Sequence, residues 1–209
     1  MHVWDINLRV FHWLLVFFIT FSIISAKLNN LFLHQYFGSI SLGLILFRIY
    51  WGFFGTYNAI FKNFFYSPKE IFYYLKGDKV NNKKTGHNPL GSLSVFSFYI
   101  LIMVLSISGL FSSDDILFDG PLVSYLPEYT IIFTKIHNLS HYLIYFLITL
   151  HILAIFYYQL IKKQKLIHQM IDGKPRNNLI KVEEMMLIKN IFGFVILISC
   201  LIIPVILLN

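Results

Sequence analysis

Five long apolar segments dominate the chain, and short stretches rich in polar residues separate them. A helix that crosses the hydrocarbon core of a bilayer needs roughly 20 predominantly apolar residues, and each segment is of that order. The pattern therefore predicts an all-α integral membrane protein. The five predicted spans are Val10–Lys27, His34–Phe54, Leu90–Ser112, Ile131–Ile161 and Leu187–Leu208.

Composition supports a membrane protein. The chain is 57% hydrophobic and 13% charged, which is far from the balance of a soluble domain. The first segment is expected to remain in the mature protein, because no small-x-small cleavage site follows it cleanly. The single cysteine, Cys200, excludes an internal disulfide and a thiolate metal cluster.

The basic residues predict an orientation. Lysines are dense between Phe54 and Asn88 and again after the fourth segment, whereas the opposite connections offer only Lys27 and Lys135. The positive-inside rule then places the N-terminus in the cytoplasm and, after five spans, the C-terminus outside. The net charge of +7 follows from this topology, so no nucleic-acid partner is needed. The residues that carry the prediction are Lys62, Lys69, Lys76, Lys79, Lys83, Lys84, Lys162, Lys163, Lys165, Lys174, Arg176, Lys181 and Lys189.

Turn signals mark shorter elements between the spans. Ser67-Pro68-Lys69-Glu70 combines an N-cap, a proline at the first helical position and a capping-box glutamate. It predicts a short helix on the membrane surface, closed by Gly77. Gly86-His87-Asn88-Pro89 predicts the turn that begins the third span, and helix is expected to continue over Lys165–Ile171 until Gly173 and Pro175 stop it.

Four histidines sit near the ends of these apolar segments. His137 and His151 are fourteen residues apart in the fourth, which is almost four helical turns, so both imidazoles face one side about 21 Å apart. His12 and His34 begin the first two segments. The predicted topology pairs His12 with His151 at the inner depth and His34 with His137 at the outer depth.

Two histidines at each depth suit a haem, whose macrocycle supplies four nitrogens and leaves two axial positions. A bare zinc ion would need four ligands within reach. Two haems bound between helices by bis-histidine ligation are therefore predicted. His141 is the alternative outer ligand, although it points about 80° away from His151. His2, His87 and His168 are expected to be solvated.

The second segment carries Gly38, Ser41, Ile45 and Arg48 on the same face as His34. Arg48, fourteen residues from His34, would point the same way at the inner depth. Two interpretations are open for its charge. It holds a propionate of the inner haem, or it marks the inner helix end as a snorkelling residue.

Several strings in this order resemble bacterial cytochrome b561, a family that includes the b-type cytochrome subunits of nickel-iron hydrogenases. The likeness covers about residues 3–176. The last helix, at 177–209, lies outside most of it and is interpreted as an appended element. The strings are Val3-Trp4-Asp5, Arg9-Val10-Phe11-His12-Trp13, Phe47-Arg48-Ile49-Tyr50-Trp51-Gly52, Gly86-His87-Asn88-Pro89-Leu90-Gly91, Ser108-Gly109-Leu110-Phe111, Ile136-His137 and Leu150-His151.

The resemblance implies a four-helix bundle that binds two b-type haems in the bacterial inner membrane and passes electrons to or from quinone. By position, His12, His34, His137 and His151 match the family's ligand histidines. Asp5, Arg9 and the Gly86–Gly91 string match recurrent positions, for which the sequence alone offers no role.

The main functional hypothesis is an electron carrier between the quinone pool and a redox partner. That partner is a periplasmic cytochrome c or an oxidoreductase subunit such as a hydrogenase. An acidic outer loop, Asp114 to Glu128, is a candidate docking site for a basic partner. The alternative is an enzyme that oxidises superoxide and reduces quinone, but a basic funnel to steer such an anion is lacking from the outer connections. A third hypothesis is a scaffold that binds haem without redox activity.

Overall fold

The computed structural model describes residues 3–77, 87–114, 118–174 and 187–207. Across these ranges the protein is all-α, and its β pairing is an isolated bridge between Ser113 and Asp119. The helices are α1 (Ile6–Lys27), α2 (Leu31–Phe54), α3 (Phe61–Phe64), α4 (Pro68–Leu75), α5 (Pro89–Leu110), α6 (Thr130–Phe156), α7 (Leu166–Asp172) and α8 (Leu187–Leu207).

Four helices are long and apolar enough to cross a membrane: α1, α2, α5 and the α6 region, Pro127–Ile161. They confirm four of the predicted spans to within a few residues at each end. The fifth segment also forms a helix, α8, but the apolar stretch recognised within its described residues, Lys189–Ile202, is shorter. The protein is thus a multi-pass membrane protein of helical-bundle class, and a fifth crossing stays a prediction.

The second span is the most buried of the four. In the 18-residue apolar stretch of each span, 56% of α2 is buried inside the protein, compared with 22% of α1 and 11% each of α5 and the α6 region. The face predicted to follow His34 is included, since Ser41, Ile45 and Arg48 are at most 1% exposed. This helix therefore lies in the interior of the protein, where it positions the residues of that face.

The structure divides into two compact units, and helices contribute to both. The first unit comprises Met1–Val10, Arg48–Ser97 and Thr149–Val195, and the second comprises Phe11–Phe47, Phe98–Ile148 and Ile196–Asn209. This division differs from the predicted one into 1–176 and an appended 177–209, which stays a prediction.

In the first unit, Asp5 joins three segments. Its Oδ1 accepts a hydrogen bond from the Leu8 N–H at 2.8 Å and so caps α1. Its Oδ2 accepts from Trp51 Nε1 at 3.1 Å and from the Thr56 hydroxyl at 2.6 Å. A buried carboxylate is tolerated where such donors replace water. Asp5 thus has a structural role that the sequence did not reveal.

Arg9 and the residues before α1 hold α7 in the same unit. Arg9 Nη1 donates to the Ile171 carbonyl at 2.5 Å, and the Val3 N–H donates to the Gly173 carbonyl at 2.7 Å. Asn58 Nδ2 donates to the Val3 carbonyl at 2.9 Å. Val3 and Arg9, near the N-terminus, therefore connect the α2–α3 loop with the end of α7 through hydrogen bonds.

The predicted surface helix is present as α4. Ser67 and Glu70 form the reciprocal capping box, and Gly77 ends the turn with a φ of 87°. Tyr74 is held by the Tyr158 hydroxyl, 3.4 Å from its own. Burial and this neighbour raise the pKa of Tyr74 to about 12.

Helix α8 packs closely within each unit. In the first unit, Asn7 Nδ2 donates to the Asn190 carbonyl at 3.0 Å, and a Cβ on Gly193 would lie 2.6 Å from the Trp51 ring. In the second unit, a Cβ on Gly43 would overlap the Cys200 carbonyl. Glycine at these positions allows the helices to approach, so α8 is closely integrated with α2.

The helix predicted over Lys165–Ile171 is confirmed as α7, Leu166–Asp172, but its predicted continuity with the fourth span is wrong. Helix does not continue through Lys165: α6 ends in a π-helical turn, Tyr157–Ile161, and Lys163 has a left-handed φ of 53°. This backbone reversal starts α7 as a separate helix, which Gly173 ends at a φ of 70°. Several predictions fall outside the described residues: those on His2, Lys79, Lys83, Lys84, Gly86, Asp115, Pro175, Arg176, Lys181 and Leu208.

Candidate metal centre

His34 and His137 meet in the second unit. His34 lies in the first turn of α2 and His137 in the third turn of α6. Their ring centroids are 5.9 Å apart, and the ring planes are inclined by 77°. The structure therefore brings together the two histidines that topology and spacing paired at the outer depth.

Both rings are fixed through the same nitrogen. His34 Nδ1 is 2.9 Å from the Ser22 carbonyl oxygen, and His137 Nδ1 is 2.9 Å from the Leu105 carbonyl oxygen. A carbonyl oxygen only accepts, so each Nδ1 carries the proton and donates it. Nε2 is then the unprotonated nitrogen in both rings, which is the arrangement that prepares a histidine for a metal.

Glycine makes room for the second ring. A Cβ on Gly109 would lie 3.0 Å from His137 Cε1 and 3.2 Å from its Nδ1, a contact tight enough that the ring would have to shift. The Ser108 hydroxyl lies 3.5 Å from the same Nδ1. Ser108 and Gly109 therefore allow α5 to approach the His137 ring closely, which explains why these residue types occur there.

The donor set fits a haem. The ring centroids of His34 and His137 are 5.9 Å apart, so both rings could reach one iron through imidazole–metal bonds of about 2 Å. A haem would supply four nitrogens of its own, and these two imidazoles would be its protein ligands. Within the described ranges, no group of three or more His, Cys, Asp or Glu side chains could hold a bare ion.

The remaining candidate ligands, His12, His151 and His141, have the following positions. His12 belongs to the second unit and His151 to the first, and each is partly buried in its helix. Their pairing at the inner depth stays a prediction. His141 packs against aromatic neighbours on its own helix, with ring centroids 3.8 Å from Tyr142 and 5.5 Å from Tyr145.

Arg48 is buried rather than extended into water. Its side chain is 1% exposed, its Nη2 donates to the Ala59 carbonyl at 2.9 Å, and its guanidinium lies 4.6 Å from the centre of the Phe61 ring. A snorkelling residue would place its charged end in solvent. The observed environment instead holds a fixed cation inside the first unit.

The expectation that His87 is solvated is wrong. Its ring lies 4.7 Å from the Trp4 ring and stacks on Phe64 at 4.6 Å. Burial, together with the Arg48 guanidinium, lowers the pKa of His87 to about 3. The next residue, Asn88, caps α5: its Oδ1 accepts a hydrogen bond from the Gly91 N–H at 2.7 Å.

This environment predicts a dependence of stability on pH. The unfolded chain protonates His87 near its ordinary pKa of 6.5, whereas the folded protein does so only near 3. The contribution of His87 is therefore complete above about pH 6.5 and is lost as the pH falls towards 3. The loss amounts to about 1.4 kcal/mol at pH 5.5.

We expect His87→Phe, which retains an aromatic ring between Trp4 and Phe64, to reduce this acid sensitivity. The measurement is the thermal unfolding midpoint in detergent at pH 7.5 and 5.5. His168→Phe is the matched control, since His168 is exposed on α7. An equal drop in the wild type and in His87→Phe would contradict the assignment.

Some site residues were missed by sequence reasoning. Ser22 and Leu105 carry no motif of their own, and their contact with a histidine depends on how neighbouring helices pack. Ser108 was recognised as part of a recurrent string but without a role. The acceptors that orient the two rings therefore became visible only in three dimensions.

The four apolar helices define a multi-pass helical membrane protein, and they bring together two histidines whose Nδ1 atoms contact backbone carbonyls. The sequence profile of the prokaryotic cytochrome b561 family matches residues 3–173, and the chain belongs to this family. Membership implies b-type haem binding and membrane electron transfer.

Two curated relatives are similar over part of their length. A probable Ni/Fe-hydrogenase B-type cytochrome subunit of Azotobacter chroococcum mcd 1 is 30% identical, and one of Azotobacter vinelandii is 29% identical. In each case the match spans 52% of this chain and 57% of the relative. No solved structure matches the chain significantly.

Proposed function

We propose that this protein is a di-haem b-type cytochrome that transfers electrons across the bacterial inner membrane between a redox partner and the quinone pool. The observation that carries the proposal is the contact of His34 with His137, in which each Nδ1 donates to a backbone carbonyl. Family membership supports the haem and the electron transfer.

The chain's own residues would provide two things at the outer site. His34 and His137 would bind the iron through Nε2, and the Ser22 and Leu105 carbonyls hold the two rings in place. With both histidines bound to the iron, the site would suit outer-sphere electron transfer rather than binding of a small ligand. Bound haem iron supplies one-electron chemistry, with a potential set by ligation, burial and nearby charge.

The inner site rests on sequence spacing. His12 and His151 would hold a second haem b, fourteen residues from the outer pair along α6, and that separation of about 21 Å spans most of a hydrocarbon core of about 30 Å. Arg48 is proposed to bind a propionate of that haem, because its planar guanidinium matches a carboxylate and can bind it through two parallel hydrogen bonds. Its burial beside Phe61 supports this over a solvent-facing role.

The partner is proposed from the curated relatives, and the topology from the distribution of basic residues. The relatives' names as hydrogenase cytochrome subunits support an oxidoreductase such as a hydrogenase as electron donor or acceptor, ahead of a cytochrome c. The lysine distribution supports a cytoplasmic N-terminus and a periplasmic C-terminus. The last helix, at 177–209, is proposed to be an addition to the four-helix haem core at 1–176.

The decisive test is haem content and its reduction by a quinol. Protein purified in detergent from haem-replete cells should contain about two b-type haems per polypeptide by pyridine haemochrome assay. Both should be reduced anaerobically by a soluble menaquinol or ubiquinol analogue. One haem would overturn the two-site arrangement, and none would overturn the function. Reduction by superoxide but not by quinol would favour the enzyme that oxidises superoxide.

A further inference from the structure

Ser22 contacts His34 through two of its atoms. Its carbonyl oxygen is 2.9 Å and its hydroxyl oxygen 3.0 Å from His34 Nδ1. The hydroxyl also lies 3.4 Å from the His34 carbonyl oxygen. Ser22 is 7% exposed, on α1 within the second unit. Ser22, on a neighbouring helix, thus contacts Nδ1 of His34 through both its carbonyl and its hydroxyl oxygen.

Donors and acceptors in this contact balance. Since the Ser22 carbonyl only accepts, Nδ1 carries a proton. The Ser22 hydroxyl oxygen can then share that N–H as a second acceptor. Its own hydrogen is directed to the His34 carbonyl, so every polar group in the cluster has a suitable partner.

The Ser22 hydroxyl is an important acceptor for His34 because other donors also bond the Ser22 carbonyl oxygen. The helical N–H four residues further on bonds the Ser22 carbonyl oxygen, so the two lone pairs of this oxygen are shared between that N–H and His34 Nδ1. The Ser25 hydroxyl, which donates to the Phe21 carbonyl at 2.7 Å, also lies 3.0 Å from the Ser22 carbonyl oxygen. The Ser22 hydroxyl therefore offers His34 an acceptor with fewer competing donors.

His137 is held differently. Its Nδ1 has the Leu105 carbonyl at 2.9 Å, while the Ser108 hydroxyl is more distant, at 3.5 Å. Gly109 packs against the ring. The His34 ring therefore has a closer side-chain hydroxyl than the His137 ring, at 3.0 Å rather than 3.5 Å.

We propose that Ser22 is a positioning residue for His34. Its hydroxyl fixes the His34 ring and strengthens Nε2 of that ring as a ligand of the outer haem. An acceptor at Nδ1–H raises the basicity of the ligating nitrogen. A more basic ligand stabilises the ferric state, so the hydroxyl lowers the midpoint potential of the outer haem. This inference rests on the proposed function.

The test compares Ser22→Ala with Ser25→Ala. Ser25 is a matched control because it is also buried in α1, at 4% exposure, and the contacts described for its hydroxyl are with carbonyls of its own helix, Phe21 and Ser22, at 2.7 and 3.0 Å. Each variant is purified with its haem and titrated anaerobically, with the two haems followed separately by their absorption and low-temperature EPR signals.

We expect Ser22→Ala to raise the midpoint potential of one haem only. It should also speed the loss of that haem to excess apomyoglobin by about tenfold, the lower end of the range for removal of an outer-shell partner. Ser25→Ala should show neither change. Ser22→Thr, which keeps the hydroxyl, should restore wild-type behaviour. Ser22→Cys, which keeps the volume but accepts weakly, should resemble Ser22→Ala.

The outcomes separate the two proposals. Two haems in every variant, with equal potentials for Ser22→Ala and Ser25→Ala, would overturn the role of Ser22 and leave the proposed function standing. A Ser22→Thr protein that behaves like Ser22→Ala would also overturn it. Absence of haem from the wild-type protein would overturn the proposed function, and this inference with it.

Discussion

Replacing His137 with alanine should reduce the haem content from about two to about one per polypeptide. The ring centroids of His137 and His34 lie 5.9 Å apart, and His137 is proposed to bind the iron of the outer haem. Loss of an axial ligand leaves the iron with one protein bond, and alanine preserves α6 because it is the best helix former. The measurement is the pyridine haemochrome assay, with EPR of the remaining haem.

His141→Ala is the matched control for this experiment. It lies one turn further along the same helix and packs against Tyr142 and Tyr145. We expect that variant to keep both haems. If His141→Ala lost a haem while His137→Ala kept both, the outer ligand would have been assigned to the wrong residue. His34→Ala should reproduce the effect of His137→Ala.

Replacing His151 with alanine should also remove one haem, but a different one. The outer pair lies in the second unit, whereas His151 belongs to the first, so the contact of His34 with His137 does not depend on it. The EPR spectrum of the surviving haem should therefore differ from that in His137→Ala. Loss of both haems, or of neither, would contradict an independent inner site.

Double variants test the pairing directly. Changing His34 and His137 together to alanine should leave one haem, because both belong to one site. Changing His34 together with His151 should leave none, because each site then lacks a ligand. The reverse pattern would show that the histidines pair differently from the proposal.

Arg48 provides a finer test of the inner site. If it binds a propionate, Arg48→Leu should lower the midpoint potential of the haem that His151→Ala removes, because a buried positive charge favours the reduced, less positive iron. Arg48→Lys keeps the charge and should lie closer to the wild type, although it loses the planar fork. Unchanged potentials in Arg48→Leu would limit Arg48 to its contacts with Ala59 and Phe61.

Much of this protein could be predicted from one-dimensional periodicity. Long apolar runs fix the spans because the bilayer requires a minimum length of apolar helix. The ends of α1, α2 and α5 therefore fell within a few residues of prediction. The capping box at Ser67 was equally readable, because its hydrogen bonds are local. Helical phase also oriented His34 and Arg48 on one buried face of α2.

The break after α6 and the environment of His87 were mispredicted for related reasons. A left-handed backbone at Lys163 has no signal in the identity of that residue. A histidine in a polar stretch between spans looks solvated until Trp4 and Phe64 are seen to enclose it. Both features depend on partners that are distant in sequence.

The sequence by itself determined the membrane class, the candidate ligands and their spacing along α6, because these follow from helical geometry and from the cost of polar groups in lipid. Only the tertiary structure decided that His34 faces His137, that Ser22 and Leu105 accept from their Nδ1 atoms, and that Asp5 joins α1 to Trp51 and Thr56. Those contacts link residues on different helices. Their geometry is set by how the helices pack, which the periodicity of a single helix does not specify.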